Sequence, residues 1–348
     1  MNPTDKIILS GLANSKTSLG EVFRRYVECF QQFSNPDVFD INIFSSNSES
    51  DEVFFPKYTK KIDHNIRFIH TTIKNYLELS KITKPRCSCC RNLDDYKKIG
   101  YFVWESSKLE DEEAEMLSDF DEIWTASNYC KQIFSNYISS DKIRIIKHPI
   151  PFPLKNYSKF EKFTILIMGN ISSNIDRKNI MDSLSVAKTV KSLYPETRIL
   201  FKTFTISDTE RSLISYLNQD ADITVIDEYY SSLQVQELIA KSHVLLSMHR
   251  SEGFGLCLAE AIPLNTIPLA TNYSGNTDFM SDPRLLIDYD LVDTNHNLFL
   301  GQWANPKFDD AVDKLVNIIE NYGSTTYNFS NINDYSFENV TKSIKQII

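Results

Sequence analysis

Short apolar runs alternate with longer stretches whose apolar residues recur at helical spacing, and this alternation continues along most of the chain. The runs near Lys6–Ser10, Asp40–Phe44, Arg67–His70, Ile99–Trp104, Glu122–Ala126 and Lys142–Ile146 have the length and residue types of buried strands. Between the first two, Val22, Phe23, Tyr26, Val27 and Phe30 share one face of a helix predicted over Glu21–Phe33. A second helix is predicted over Asn128–Tyr137, with Ser127 as its N-cap. The segment His148-Pro-Ile-Pro-Phe-Pro153 then interrupts the pattern, because prolines at alternate positions suit neither a helix interior nor a central strand. After it, strands are predicted at Phe163–Met168, Arg198–Phe204, Ile223–Ile226, Val244–Ser247 and Thr266–Ala270. Helices are predicted at Lys178–Leu193, Ser231–Lys241 and Gly255–Leu264.

Strands that alternate with helices are joined by crossovers, which points to α/β architecture with parallel sheets. The proline-rich break divides the chain into two Rossmann-like domains, 1–150 and 154–334, with 335–348 expected as a terminal helix packing back on the first. Two such domains would face each other across a cleft at the carboxyl ends of their strands, where open α/β sheets bind ligands.

Composition narrows the function classes. The 348 residues are 42% hydrophobic and 24% charged, as in a globular protein able to bury two cores. A formal net charge of −9 argues against nucleic acid as a partner. The apolar run in MNPTDKIILSGLANSK is too short for a signal sequence, and no run has the length of a membrane span. A soluble, cytoplasmic protein is therefore expected. Of the six cysteines, three form a Cys-Ser-Cys-Cys cluster at Cys87–Cys90. A structural zinc site wants four ligands, commonly as two separated pairs, and no second pair exists, so the cluster reads as reduced thiols in a surface loop.

The candidate chemistry concentrates in Ser247-Met-His-Arg-Ser-Glu-Gly-Phe-Gly-Leu-Cys-Leu-Ala-Glu-Ala-Ile262. A strand runs here into a polar loop, two glycines and a helix. Glycine lets backbone approach a ligand closely, and a helix start offers unpaired amides to an anion or an oxygen-rich group. Glu252 precedes the helix, and Glu260 lies within it among apolar neighbours, where a carboxylate needs hydrogen-bond donors such as sugar hydroxyls.

The stretch Glu252-Gly-Phe-Gly-Leu-Cys-Leu-Ala-Glu260, two glutamates with seven residues between them, resembles the signature of the family 4 retaining glycosyltransferases, which have the two-domain GT-B fold. Pro268-Leu-Ala-Thr-Asn-Tyr-Ser-Gly-Asn-Thr-Asp-Phe-Met280 is similar to the family's next strand and loop. Asp176-Arg-Lys-Asn179 and Gly100-Tyr-Phe-Val-Trp-Glu105 resemble a bacterial branch acting on surface polysaccharides. The resemblance extends over 165–280, less closely over 99–150, and is slight before that.

The resemblance implies roles. Glu252 would face the donor sugar, Glu260 would hold the ribose hydroxyls, and the amides around Gly253, Phe254 and Gly255 would meet sugar and diphosphate. The family's usual arginine after the first strand of the second domain is replaced by Asn170. Lys178 is then assigned to the leaving phosphate, Arg177 is a substitute for the missing arginine, and Lys202 is a third candidate. In the first domain Gly20 matches a glycine near the bond being made. His70 matches a histidine near the anomeric carbon, although a lone histidine can equally be a buried structural residue.

The implied reaction is metal-independent retaining transfer from a UDP- or GDP-linked sugar to a glycan or lipid-linked glycan, with no cofactor beyond the nucleotide-sugar substrate. A sugar-nucleotide epimerase and a non-catalytic GT-B partner subunit remain as alternatives. Basic residues outnumber acidic ones between Lys57 and Lys98, with Tyr58, Phe68, Tyr76 and Tyr96 interleaved. That composition suits peripheral contact with an anionic membrane face or a phosphate-bearing acceptor, and equally a solvated surface.

Overall fold

The computed structural model describes residues 6–41, 65–83, 96–153, 155–171, 175–204, 208–294, 299–330 and 332–348. The chain forms two compact units, one of 1–104, 108–150 and 333–348, the other of 105–107 and 151–332.

In the first unit the order is β1 (Ile7–Gly11), α1 (Ser18–Gln31), β2 (Asp37–Asp40), β3 (Ile66–His70), α2 (Ile73–Thr83), β4 (Lys97–Tyr101), α3 (Asp111–Met116), β5 (Glu122–Thr125), α4 (Asn128–Phe134) and β6 (Ile143–Ile145). The strands form one parallel sheet in the order β2-β1-β3-β4-β5-β6. Its direction of winding reverses between β1 and β3, which places Gly11 beside His70 at a topological switch point. The apolar face of α1 is buried as its spacing predicts, and the Thr17 side chain caps its start by accepting the Gly20 amide. Ser127 caps α4 by accepting the Cys130 amide at 3.2 Å.

The second unit runs β7 (Thr164–Met168), α5 (Ile175–Lys178), α6 (Ile180–Leu193), β8 (Arg198–Thr203), α7 (Asp208–Leu217), β9 (Ile223–Asp227), α8 (Ser232–Lys241), β10 (Val244–Ser247), α9 (Leu256–Ala261), β11 (Ile267–Thr271), β12 (Leu286–Ile287), β13 (Tyr289–Asp293), β14 (Gln302–Pro306) and α10 (Phe308–Glu320). Six strands form a sheet in the order β12-β11-β10-β7-β8-β9, and β13 pairs with β14 as a separate antiparallel ribbon. Ile165, Leu166, Leu200, Phe201, Leu245 and Leu246 are all buried, because the middle strands of a parallel sheet are covered on both faces. The switch point of this sheet lies between β7 and β10. The chain ends in α11 (Phe337–Ile347), which packs against α1 of the first unit, while the Ile150 amide donates to Tyr335 O at 2.8 Å.

Several expected boundaries move for local reasons. The helix expected from Lys178 begins instead at Ile180, because Asn179 takes φ 50° and separates it from the single turn of α5; asparagine tolerates that conformation better than most residues. The helix expected to reach Leu264 stops at Ala261, two positions before Pro263, which has no amide N–H to continue the ladder. The described strand beside β1 is Asp37–Asp40, and most of the strand expected over Asp40–Phe44 lies outside the described residues. So do the Cys87–Cys90 cluster and most of the basic stretch 57–98. Among the described residues no helix is long and apolar enough to cross a membrane.

Candidate functional site

The switch point of the second sheet collects the candidate residues. Beyond β7 the chain turns through Gly169 and reaches Arg177 and Lys178 at the end of α5. Beyond β10 it passes His249, Arg250, Ser251, Glu252 and Gly253 before α9. Glu252 forms ion pairs with Lys178 and, at 3.5 Å, with Nη1 of Arg177. Burial pushes the Glu252 carboxyl up, but the two cations outweigh it and hold the group well below the usual carboxylate range.

Arg177 is locked to this loop at both ends. Its guanidinium Nη1 donates to Ser251 O at 2.7 Å, and its carbonyl accepts the Arg250 amide at 2.7 Å. The same Nη1 meets the Glu105 carboxylate at 3.1 Å. Only 5% of the Arg177 side chain is exposed, against 24% for Lys178, so Lys178 is the more open of the two cations.

The loop after β11 supports the Glu252 loop from behind. The Glu252 amide donates to Ser274 Oγ at 2.8 Å, and the Glu252 carbonyl accepts the Gly275 amide at 2.9 Å. The two backbones press so closely that a Cβ on Gly275 would sit 2.4 Å from Gly253 O. Ser274 itself has φ 76°, an uncommon conformation held by this double contact. His249 ties the same loops together: its Nε2 lies 3.1 Å from Asn276 Oδ1 and 3.2 Å from Tyr273 O, two acceptors that require a proton there. Its Nδ1 then accepts from Ser247 Oγ at 3.1 Å. Burial lowers its pKa, so the ring serves as a neutral strut.

The remaining predicted residues are distributed as follows. Glu260 is buried in α9, and Gly255 caps that helix with φ 89°, a conformation that favours glycine. The Phe254 ring is buried and packs on Phe279 with centroids 5.3 Å apart. Lys202 sits near the end of β8 in register with Met168. It donates to Thr203 O at 2.6 Å and to Glu228 O, and it stands 4.5 Å over the Tyr230 ring.

Gly20 and His70 belong to the first unit. A Cβ on Gly20 would lie 2.3 Å from Ser15 O, so the loop after β1 already demands glycine there. His70 is fully buried among Phe23, Tyr26, Phe68, Tyr101 and His148, stacked on the Tyr101 ring at 4.9 Å. Burial pushes its pKa down to about 3, so it is neutral at physiological pH.

Two contributors lie outside the sequence reading. Nothing local in Gly100–Glu105 marks the Glu105 carboxylate as a site residue, because its partner Arg177 is far away along the chain. The Ser274–Gly275 support is legible only as a glycine in a loop. Among the described residues, no group of three or more His, Cys, Asp or Glu is placed to hold a metal ion.

No protein-family model matches the chain, and no curated protein sequence does. Solved structures do match. HepE from Anabaena, in complex with UDP-glucose, superposes with a TM-score of 0.67 at 10% identity over 99% of this chain and 99% of its own. The lipopolysaccharide outer core galactosyltransferase WaaB gives 0.63 at 16% identity over 99% of this chain and 100% of its own. S. aureus TarM, solved with Fondaparinux, alpha-GlcNAc-glycerol and UDP, gives 0.54 at 15% identity over 81% of this chain, which spans 52% of TarM.

Proposed function

From a GT-B fold of two Rossmann-like units, we propose that the chain is a retaining glycosyltransferase. It takes a sugar from a UDP- or GDP-linked donor and passes it, without a bound metal, to a glycan or lipid-linked glycan. The observation that carries this reading is the Lys178–Glu252 pair at the β7/β10 switch point, eight positions ahead of the buried Glu260. Open α/β sheets bind nucleotides at such points, and this one presents a cation, loop amides and two carboxylates suited to phosphate and hydroxyl groups.

In this reading Lys178 faces the departing diphosphate, where negative charge builds as the anomeric carbon becomes oxocarbenium-like. The amides of Gly253, Phe254 and Gly255 add to that stabilisation. Glu252 accepts hydrogen bonds from the donor sugar, and Glu260 accepts them from the ribose. Arg177 acts chiefly by fixing the Glu252 loop, since its guanidinium is committed to Ser251 O, and Lys202 is left to the edge of the site. His70 and Gly20 belong to the acceptor side in the first unit, with His70 acting as a neutral imidazole. A leaving phosphate oxygen serves as the base that deprotonates the acceptor on the same face.

The same reading assigns the basic stretch 57–98 to peripheral contact with an anionic membrane face. A partner-subunit role is the second reading, favoured by Asn170 in place of the usual arginine and by the internal commitment of Arg177. A thermal-shift panel of UDP-, GDP- and ADP-sugars tests the proposal, because a ligand that binds only the folded state raises its melting temperature. Product analysis with the stabilising donor should then detect sugar transfer to an acceptor. No stabilisation by any nucleotide sugar would favour the partner subunit, and a converted sugar nucleotide without acceptor would favour an epimerase.

A further inference from the structure

We propose that the Glu105 carboxylate occupies an anion position of the second unit, holds the place of a donor phosphate, and is displaced when the diphosphate binds. The inference rests on the donor-site reading above.

Glu105 reaches the site on the short segment 105–107, which belongs to the second unit. That segment is anchored there, since the Gln302 amide donates to Ser107 Oγ at 2.7 Å. The carboxylate is held by Nη1 of Arg177 at 3.1 Å and by the main-chain amide of Gly253. A guanidinium beside a glycine-loop amide is a donor set for oxyanions in general, carboxylate or phosphate alike.

Charge decides what must happen on binding. Arg177 and Lys178 are balanced here by Glu105 and Glu252. A diphosphate arriving beside both carboxylates would leave the anions in excess at close range, in a site with little water to screen them. One carboxylate therefore has to leave. Glu252 is 10% exposed, and its backbone is pinned through Ser274 and Gly275. Glu105 is 28% exposed, so returning it to water costs less. Its hold is also the weaker one: burial and the neighbouring Glu252 charge disfavour its ionised form, and Arg177 offsets them only in part. Glu105 thus neutralises the site while it is empty and sets a threshold that a ligand must carry enough negative charge to pass.

The test is calorimetric titration of the full chain with UDP, inorganic pyrophosphate and uridine. Glu105→Gln and Glu105→Ala should each bind UDP and pyrophosphate about ten-fold more tightly than wild type, the value of one competing charge-assisted bond. Uridine, which carries no phosphate, should show no such gain. Lys178→Ala, which removes a cation, should weaken UDP. If Lys178→Ala weakens UDP but both Glu105 variants bind it no better than wild type, the displacement idea is wrong and the donor site stands. An equal gain for uridine would also overturn it, as general loosening. If no form binds UDP or pyrophosphate, the donor-site reading falls and this inference with it.

Discussion

Lys178 and Glu252, separated by 74 positions in the chain, meet as an ion pair where the second sheet reverses its order. Each follows the carboxyl end of a strand, Lys178 at the end of α5 beyond β7 and Glu252 in the loop beyond β10, and those strands are neighbours. The pair is therefore a product of topology. It leaves a partly exposed ammonium next to a buried carboxylate.

Lys178→Ala should lower turnover by about ten- to a thousand-fold, the range for losing one preorganised charge stabiliser. Steady-state rates with saturating donor and acceptor measure it. Glu252→Ala should likewise act on turnover more than on donor affinity. Wild-type rates in both variants would remove this pair from the reaction.

Glu260→Ala should weaken nucleotide-sugar binding by about ten-fold through loss of hydrogen bonds to the ribose. The far-ultraviolet spectrum should stay as in wild type. Unchanged affinity by calorimetry would assign Glu260 a purely structural place in α9.

Gly275→Ala tests the support of the Glu252 loop. The added methyl would lie 2.4 Å from Gly253 O and 2.7 Å from Phe254 Cα, so one loop must shift. Overpacking of this kind costs about 1–3 kcal/mol. Urea unfolding of the second unit's signal should show that loss, together with weaker donor binding. Full stability and full affinity would mean that the two loops separate freely.

Acid should destabilise the fold through two neutral histidines. Burial sets His70 at about 3 and His243 at about 4, both below the ordinary value of 6.5. His243 Nδ1 accepts the Thr164 amide at 3.0 Å, a bond that protonation destroys. The unfolded chain thus binds more protons than the folded one. The stability these rings contribute is complete above about pH 6.5 and is lost as pH falls through about 4 and 3. Melting temperatures between pH 7 and 4 should decline, and ring resonances should remain those of neutral imidazole at pH 5. Titration of either ring near pH 6.5 would contradict this.

Within the basic stretch, two of the described lysines are already in ion pairs. Lys81 pairs with Glu78 at 3.0 Å and Glu112 at 3.2 Å, and Lys97 pairs with Glu122 at 2.8 Å. Co-sedimentation with anionic liposomes should fall when Lys84 and Arg86 are changed to glutamate, and should fall in high salt. Binding that ignores both changes, or is absent, leaves 57–98 a solvated surface.

The sequence by itself determined the architecture, because burial on both faces writes parallel strands as short apolar runs and helices as 3.6-residue stripes. The apolar stripe of α1 and the strands β7, β8 and β10 are legible in this way. So is the glycine-bounded turn from Ser251 to Gly255, since its local backbone needs are written in adjacent residues. Elements whose burial comes from distant partners were not legible: the ribbon β13–β14 alternates little, and α10 follows directly on a strand. Tertiary structure alone decided which charges meet. Sequence places Arg177 and Lys178 side by side as two cations for one phosphate, whereas the fold buries Arg177 against Ser251 O and Glu105 and leaves Lys178 partly open. The physical reason is range. Backbone conformation is set mainly by residues a few positions apart, but an ion pair is set by which strand ends the sheet order brings side by side.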